Sequence, residues 1–146
     1  MRIVDVTDVT GRVVAPEWLA RAETVHRQLR TGLPPDYAAK MSRVFAGGGR
    51  MLVAADGEKV LGVVIWRVYE NTFENLHLYV DDLVTDEAER SKGAGKLMLA
   101  ACERLARELG CENLTLDSGT QRERAHQFYW REGMSITSFH FRKPLA

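Results

Sequence analysis

Residues 82–99 read DLVTDEAERSKGAGKLML and combine the end of an apolar strand, a charged loop and the start of a helix. Gly93 and Gly95 stand one residue apart, with Lys92 before them and Lys96 after them. The first N–H groups of a helix have no partner inside it, and they carry the positive end of the helix dipole. Because glycine lets a ligand approach the backbone closely, the stretch predicts an anion site at a helix N-terminus.

Two common phosphate-binding motifs do not fit this stretch. A nucleotide P-loop needs glycine where this chain has Arg90, and Ser or Thr where it has Leu97. A dinucleotide fingerprint needs a third glycine where this chain has Met98. The glycines could also serve only to form a tight turn. What remains is the pattern Arg-x-x-Gly-x-Gly after a strand.

Hydrophobic periodicity and turn residues predict a mixed order of strands and helices. The predicted strands are 3–6, 50–55, 59–69, 75–85, 113–118 and 135–143, and the predicted helices are 16–30, 36–46, the run from the glycine stretch to Gly110, and 122–132. The Asp56-Gly57 pair predicts an antiparallel hairpin. A strand–helix–strand step from 75 to 118 predicts two parallel neighbours. We therefore expect an α/β (α+β) fold with a mixed, partly antiparallel sheet flanked by about four helices.

Composition limits the kinds of partner. The 146 residues suit a single domain, 1–146, and 45% hydrophobic content allows a sizeable core. The net charge of zero gives no basic surface for nucleic acid, and no apolar run approaches the ~18 residues of a membrane span. The N-terminus lacks the pattern of a signal peptide. Cys102 and Cys111 show no metal spacing with the histidines, so we expect a cytoplasmic protein without a metal site.

A second segment, AHQFYWREGM at 125–134, also has the pattern of a known family motif. Together the two resemble the motifs of the GNAT superfamily of acyl-CoA-dependent N-acetyltransferases. The first is similar to its coenzyme A motif, and the second to its Ala-x-x-Phe-Tyr segment ending in Gly. The resemblance implies a GNAT-like sheet whose strands splay at the coenzyme site, with acetyl-CoA as co-substrate.

The same resemblance implies where coenzyme A binds. The pyrophosphate would lie on backbone N–H groups of the glycine stretch, and the pantetheine arm would run along the end of the preceding strand. The implied coenzyme-binding residues are Leu83, Val84, Thr85, Arg90, Ser91, Lys92, Gly93, Ala94, Gly95, Lys96 and Arg122. Arg122 stands where many family members have Asn, so it could contact either a coenzyme phosphate or an anionic acceptor.

Direct attack of an amine on a thioester needs a proton acceptor for the ammonium and a donor for the leaving thiolate. Tyr129 occupies the tyrosine position of the second motif. A phenol has a reference pKa of about 10 and therefore keeps its proton at neutral pH. The resemblance therefore implies that Tyr129 is the acid. The alternative is that it packs as its neighbours Phe128 and Trp130 do.

The base is less closely defined by the sequence. Strand alternation sends the side chains of Asp81 and Asp82 to opposite faces, with Asp81 on the face of Leu83 and Thr85. The position of Asp81 resembles that of the acidic residue proposed as base in diamine-acetylating relatives. Asp81 could instead bind a cationic amine, or both aspartates could simply be solvated. Other candidates are Glu74, His77, His126 and His140.

The acceptor is expected to be a small-molecule amine. The run at 116–145 resembles a branch that includes aminoalkylphosphonate acetyltransferases, where Arg122, Arg124 or Arg142 could pair with an acidic group. We expect the acceptor pocket in the 30–36 loop, the second helix, the 70–75 loop and the last strand. Aromatic residues that could line it, or belong to the core, are Trp18, Tyr37, Trp66 and Tyr69.

Two other functions stay open at this point. The chain could acetylate a protein or peptide, or it could bind acyl-CoA without catalysis. A homodimer is a common arrangement in the family, and the final strand could supply its interface. The neutral surface slightly favours the small amine.

Overall fold

The computed structural model describes residues 1–146 and confirms the α/β class. Its elements are β1 (Arg2–Asp5), α1 (Pro16–Leu29), α2 (Tyr37–Ala46), β2 (Arg50–Asp56), β3 (Lys59–Asn71), β4 (Asn75–Thr85), a 3₁₀ turn (Glu87–Glu89), α3 (Ala94–Glu108), β5 (Asn113–Leu116) and α4 (Glu123–Arg131). The five strands form one sheet in the order β1-β2-β3-β4-β5. β1 to β4 pair antiparallel, and the helix α3 joins β4 to its neighbour β5.

The chain divides into two compact units, Met1–Thr115 and Leu116–Ala146. The first unit holds the hydrophobic core, which α1 and α2 share with the inner strands. α1 starts with Pro16 in its first turn, and its buried stripe includes Trp18, Ala22 and Val25. No helix of the chain is both long and apolar enough to cross a membrane.

Helix α3 lies very close to strand β3. A methyl group at Gly62 would lie 2.5 Å from Met98 Cε and 2.9 Å from the carbonyl oxygen of Val84. Met98 is fully buried, so it has little room to move away. The glycine therefore permits the helix to pack on the sheet at this point, which places the N-terminus of α3 beside the end of β4.

A β-bulge interrupts the ladder between β3 and β4. Ile65 pairs with Asp82, but its neighbour Trp66 pairs with Val80, so Asp81 is the extra residue. A bulge breaks the strict alternation of side chains across a strand and re-aims them locally. It occurs where the sequence places its two candidate carboxylates.

The second unit contains α4 and the C-terminal segment. The prediction of a strand at 135–143 is wrong, because residues 134–146 belong to no helix or strand. The segment has the apolar and aromatic composition of a strand, but a strand also needs a neighbour for its backbone hydrogen bonds. Its large apolar side chains are exposed, namely Ile136, Phe139, Phe141 and Leu145.

Candidate active site

The loop between β4 and α3 is shaped for close backbone approach. Ser91 and Gly93 both adopt left-handed backbone conformations, with φ of 69° and 86°. A non-glycine residue in this region costs free energy and marks a locally constrained backbone. A methyl group at Gly93 would meet no protein atom within 4 Å, so the space beside it is open.

Gly93 is also the N-cap residue of α3, and no side chain caps this helix. The first helical bond runs from the N–H of Leu97 to the carbonyl of Gly93, at 3.0 Å. The N–H groups of Ala94, Gly95 and Lys96 therefore have no partner inside the helix. Three free N–H groups at the positive end of a fifteen-residue helix suit an anion such as phosphate.

Glu89 forms ion pairs with two lysines at this loop. Its carboxylate accepts hydrogen bonds from the ammonium groups of both Lys59 and Lys92. These two bonds lower the pKa of Glu89 to about 2. Lys92 is thus tied to the loop, whereas Arg90 and Lys96 are exposed and outside the ion pairs.

The far end of β4 extends beyond its neighbour β5. β5 begins beside the start of β4, where the N–H of Glu112 donates to the carbonyl of Leu76 at 2.8 Å. β5 has four residues and β4 has eleven, so β5 does not reach Leu83–Thr85. On their other side these residues pair with β3. The implied pantetheine site therefore lies where β4 extends past β5.

A pocket of about 510 Å³ opens between α1, α2 and the bulged part of the sheet. The residues that line it come from the first unit: His26, Leu29, Arg30, Thr31, Gly32, Leu33, Pro34, Lys40, Met41, Val44, Ile65, Arg67, Asp81 and Asp82. This volume is in the range of small-molecule sites. Residues of the 30–36 loop and of the second helix, both expected at the acceptor pocket, line this pocket.

Other residues expected at the acceptor pocket do not line this cavity. Neither the 70–75 loop nor the C-terminal segment lines this pocket, and the four aromatic candidates do not line it either. Trp18, Tyr37 and Trp66 are buried, because they pack in the interior of the first unit. Tyr69 is half-exposed and makes an edge-to-face contact with His77, at 4.3 Å between ring centroids.

Both candidate aspartates face this pocket, so the expectation that they point to opposite faces is wrong. The bulge at Asp81 is the physical reason, because it interrupts the alternation on which that expectation depended. Asp81 is bound by the guanidinium of Arg67, which donates to both carboxylate oxygens at 2.5–3.1 Å. The same bonds raise the pKa of Arg67, although its partial burial opposes them.

Asp82 is held by α1. His26 Nε2 lies 2.7 Å from one carboxylate oxygen, and Arg30 Nε donates to the other at 2.7 Å. Burial raises the pKa of Asp82, but the hydrogen bonds and charges of His26 and Arg30 outweigh it and lower the pKa overall. Arg30 also donates to the backbone carbonyl of Asp81 at 3.0 Å, which ties the bulge to α1.

A buried tyrosine completes this chain of contacts. His26 is 1% exposed, and its Nδ1 lies 2.8 Å from the hydroxyl of Tyr37. Burial raises the pKa of Tyr37, with the charges of Glu23 and Asp82 acting in the same direction, so its hydroxyl keeps the proton. The arrangement that satisfies every group has Tyr37 donating to Nδ1 and His26 donating from Nε2 to Asp82.

Sequence patterns assigned no site role to His26 or Arg67, and they placed Arg30 and Lys40 near the acceptor only as members of the 30–36 loop and the second helix. One signal was present for His26, because it lies on the buried stripe of α1 with Trp18 and Val25. A polar residue on an apolar stripe requires a buried partner.

Tyr129 and Arg122 lie in the second unit. Arg122 is the N-cap residue of α4 and is exposed. Tyr129 is half-buried near the end of the same helix, with its ring centroid 5.3 Å from that of Phe128. The roles given to both residues stay predictions.

The histidines named as alternative bases have other partners. His77 is buried and lies against the carbonyl of Asn75 at 3.0 Å. His126 contacts the carbonyl of Gly119 at 2.8 Å, and His140 lies 3.2 Å from Asp117. None of these histidines lines the pocket, and neither does Glu74. The chain forms no cluster of three His, Cys, Asp or Glu side chains suited to a metal ion.

Solved structures with the same fold include N-acetyltransferases. The aminoglycoside N-acetyltransferase AAC(6')-Iy, in complex with CoA, superposes with a TM-score of 0.81 at 16% identity, over 99% of this chain and 95% of that chain. An aminoglycoside acetyltransferase from an uncultured soil metagenomic sample, in complex with sisomicin, gives a TM-score of 0.78 at 18% identity, over 99% and 96%. At these identities the likeness establishes the fold.

Two curated relatives have higher sequence identity to this chain than these structures do, but over shorter segments. The uncharacterized N-acetyltransferase YhdJ of Bacillus subtilis is 46% identical over 70 residues, which are 47% of this chain and 49% of that protein. An aminoalkylphosphonate N-acetyltransferase of Salmonella typhimurium is 36% identical over 66 residues, 45% of this chain and 43% of that protein. The matched segments thus span about half the length of these curated relatives.

The model of the acetyltransferase (GNAT) family matches residues 16–134, which include α1, the pocket, the glycine stretch and α4. The match covers most of the chain and agrees with the fold. By this match, the chain belongs to the acetyltransferase (GNAT) family.

Proposed function

We propose that the chain transfers an acetyl group from acetyl-CoA directly to a primary amine of a small molecule. The observation that carries this proposal is the pocket of about 510 Å³, whose two aspartates immediately precede the coenzyme-binding end of β4. A volume of this size fits a small acceptor, and carboxylates suit the binding of its ammonium group.

The residues of the first unit fit the coenzyme. The free N–H groups of Ala94, Gly95 and Lys96 offer donors to its pyrophosphate, and the open space at Gly93 leaves room for it. The end of β4 at Leu83–Thr85 offers backbone groups to the pantetheine arm on the side that β5 does not cover. Acetyl-CoA supplies a thioester whose carbonyl carbon accepts the amine.

The proposed chemistry forms a C–N bond and breaks the C–S bond of the thioester. The acceptor enters as an ammonium ion, and Asp81 accepts its proton, directly or through water, or anchors it while water accepts the proton. Asp81 is the better candidate because its carboxylate is held by one side chain, Arg67, whereas Asp82 is held by two side chains of α1 and has a lowered pKa. Tyr129 donates a proton to the departing thiolate, and the second proton released by the new amide nitrogen restores the Tyr129 phenol, directly or through water.

Relatives with named substrates support a small acceptor. The Salmonella typhimurium relative is named for aminoalkylphosphonates, and the two solved structures are named for aminoglycosides. All of these are small molecules that carry amino groups.

A thiol-release assay tests the proposal. Acetyl-CoA is supplied with a panel of small primary amines and, separately, with lysine-containing peptides, and free thiol is followed with time. We expect release that depends on at least one small amine. Release with peptides alone would replace the proposal by protein acetylation. Absence of release with any amine, alongside calorimetric binding of CoA, would replace it by a non-catalytic binding role.

A further inference from the structure

The pocket is lined by more positively charged than negatively charged side chains. Its permanent cations are Arg30, Lys40 and Arg67, and its carboxylates are Asp81 and Asp82. Counted among these five permanently charged side chains, one positive charge is left over. A binding site with an uncompensated charge selects ligands of the opposite charge, because like charges placed together raise the free energy of binding.

The ion pairs show which cation is uncompensated. Arg30 binds Asp82 at 2.5 Å, and Arg67 binds Asp81 at 2.5 Å. Lys40 is half-buried, and no carboxylate lies within 4.0 Å of its ammonium group. Its backbone N–H is used inside the helix, bonding to Asp36, and its side chain carries no hydrogen bond. The free charge of the pocket is therefore the Lys40 ammonium.

The two carboxylates and the Lys40 ammonium belong to different elements that line the pocket. Asp81 and Asp82 are on β4, next to the residues proposed for the pantetheine arm. Lys40 is on α2, followed by the apolar lining residues Met41 and Val44. An acceptor that placed its amine at β4, beside the thioester of the proposed function, and that spanned the pocket would meet the α2 side, to which Lys40 belongs.

We infer that the acceptor is a small primary amine that also carries an acidic group, and that Lys40 binds this group. The inference rests on the proposed function and specifies its substrate class. Carboxylate and phosphonate share the chemistry that Lys40 would recognise. The apolar residues beside Lys40 reduce competition from water, which strengthens a charge-assisted hydrogen bond.

Four acceptors of similar size test the charge requirement: β-alanine, 2-aminoethylphosphonate, propylamine and 1,3-diaminopropane. We expect the wild-type chain to use one or both of the anionic amines with kcat/KM about tenfold or more above that for propylamine. The ratio between the two anionic amines distinguishes a carboxylate site from a phosphonate site. Preference for propylamine or for the diamine would overturn the inference.

Substitutions on α2 test the role of Lys40. Lys40→Met should raise KM for the anionic amines by about tenfold or more relative to any change in KM for propylamine, while Lys40→Arg should keep most of the preference. Arg43→Met is the matched control, because Arg43 is exposed on the same helix and does not line the pocket. An equal effect of Lys40→Met on all four amines, or no effect on any, would contradict the inference.

A binding measurement separates this inference from the proposed function. Calorimetric titration of the CoA-bound chain with the anionic amines does not require turnover. If no amine releases thiol, the proposed function fails, but selective binding that Lys40→Met abolishes would still support the anion site. Equal binding of the anionic amines by the wild type and Lys40→Met would overturn it.

Discussion

Replacing Gly93 by alanine is expected to weaken coenzyme A binding, whereas the same replacement at a matched glycine is expected to leave binding intact. Gly93 has a φ of 86°, and a non-glycine residue in the left-handed region costs about 1–2 kcal/mol. Gly110, just beyond the other end of α3, has a φ of 77° and provides a matched control. No protein atom lies within 4 Å of a methyl group at either position. Both variants should therefore lose about the same free energy of unfolding.

Coenzyme binding should separate the two variants. Only the methyl group of Gly93→Ala lies in the space proposed for the pyrophosphate, where it would disturb hydrogen bonds to a charged group, worth about 1.5–3 kcal/mol each. We expect a loss of about tenfold or more in affinity, or about 1.4 kcal/mol, for Gly93→Ala alone. Calorimetric titration with CoA gives the affinities, and urea unfolding gives the stabilities. Affinity within about twofold of wild type for Gly93→Ala, or equal losses in both variants, would refute the phosphate site.

Three further predictions concern the thioester, the pocket and the core. Tyr129→Phe should lower kcat with little change in CoA affinity, and unchanged turnover at saturating substrates would remove Tyr129 from the acid role. Because the folded-state pKa of Asp82 is lowered, its stabilising contribution is present above about pH 4 and is lost as the pH falls through the folded pKa. The free energy of unfolding, measured with urea from neutral to acidic pH, should therefore depend less on pH in Asp82→Asn than in the wild type. The same pH dependence in both would contradict the pairing of Asp82 with His26 and Arg30. Gly62→Ala should destabilise the chain by about 1–3 kcal/mol, because its methyl group would meet Met98 and a backbone carbonyl, and wild-type stability in thermal unfolding would show that α3 can move away.

Local signals in the sequence were enough to predict the glycine stretch and its helix. Gly93 adopts the left-handed conformation that favours glycine, and α3 begins at the next residue. The hairpin at Asp56-Gly57 formed for the same reason, with Gly57 at a φ of 58°. These features depend on neighbouring residues along the chain, so periodicity and turn chemistry predict them.

The bulge at Asp81 could not be predicted in this way. It depends on how β4 pairs with β3, which no local pattern marks, and it turned the expected opposite faces of Asp81 and Asp82 into one shared pocket. The prediction of a strand at 135–143 was wrong for a related reason, since strand-forming residues do not make a strand without a partner strand. Arg67 was missed because its partner Asp81 is fourteen residues away in sequence.

The central claim is direct transfer of acetyl from acetyl-CoA to the nitrogen of a small amine. Isotopically labelled acetyl-CoA, mixed with an excess of the chain and an amine accepted in the thiol-release assay, tests it in a single turnover followed by mass spectrometry. We predict that the label appears on the amine nitrogen as fast as thiol is released, with no labelled protein at any time. Label that accumulates on the chain, or that leaves only as acetate, would contradict the account.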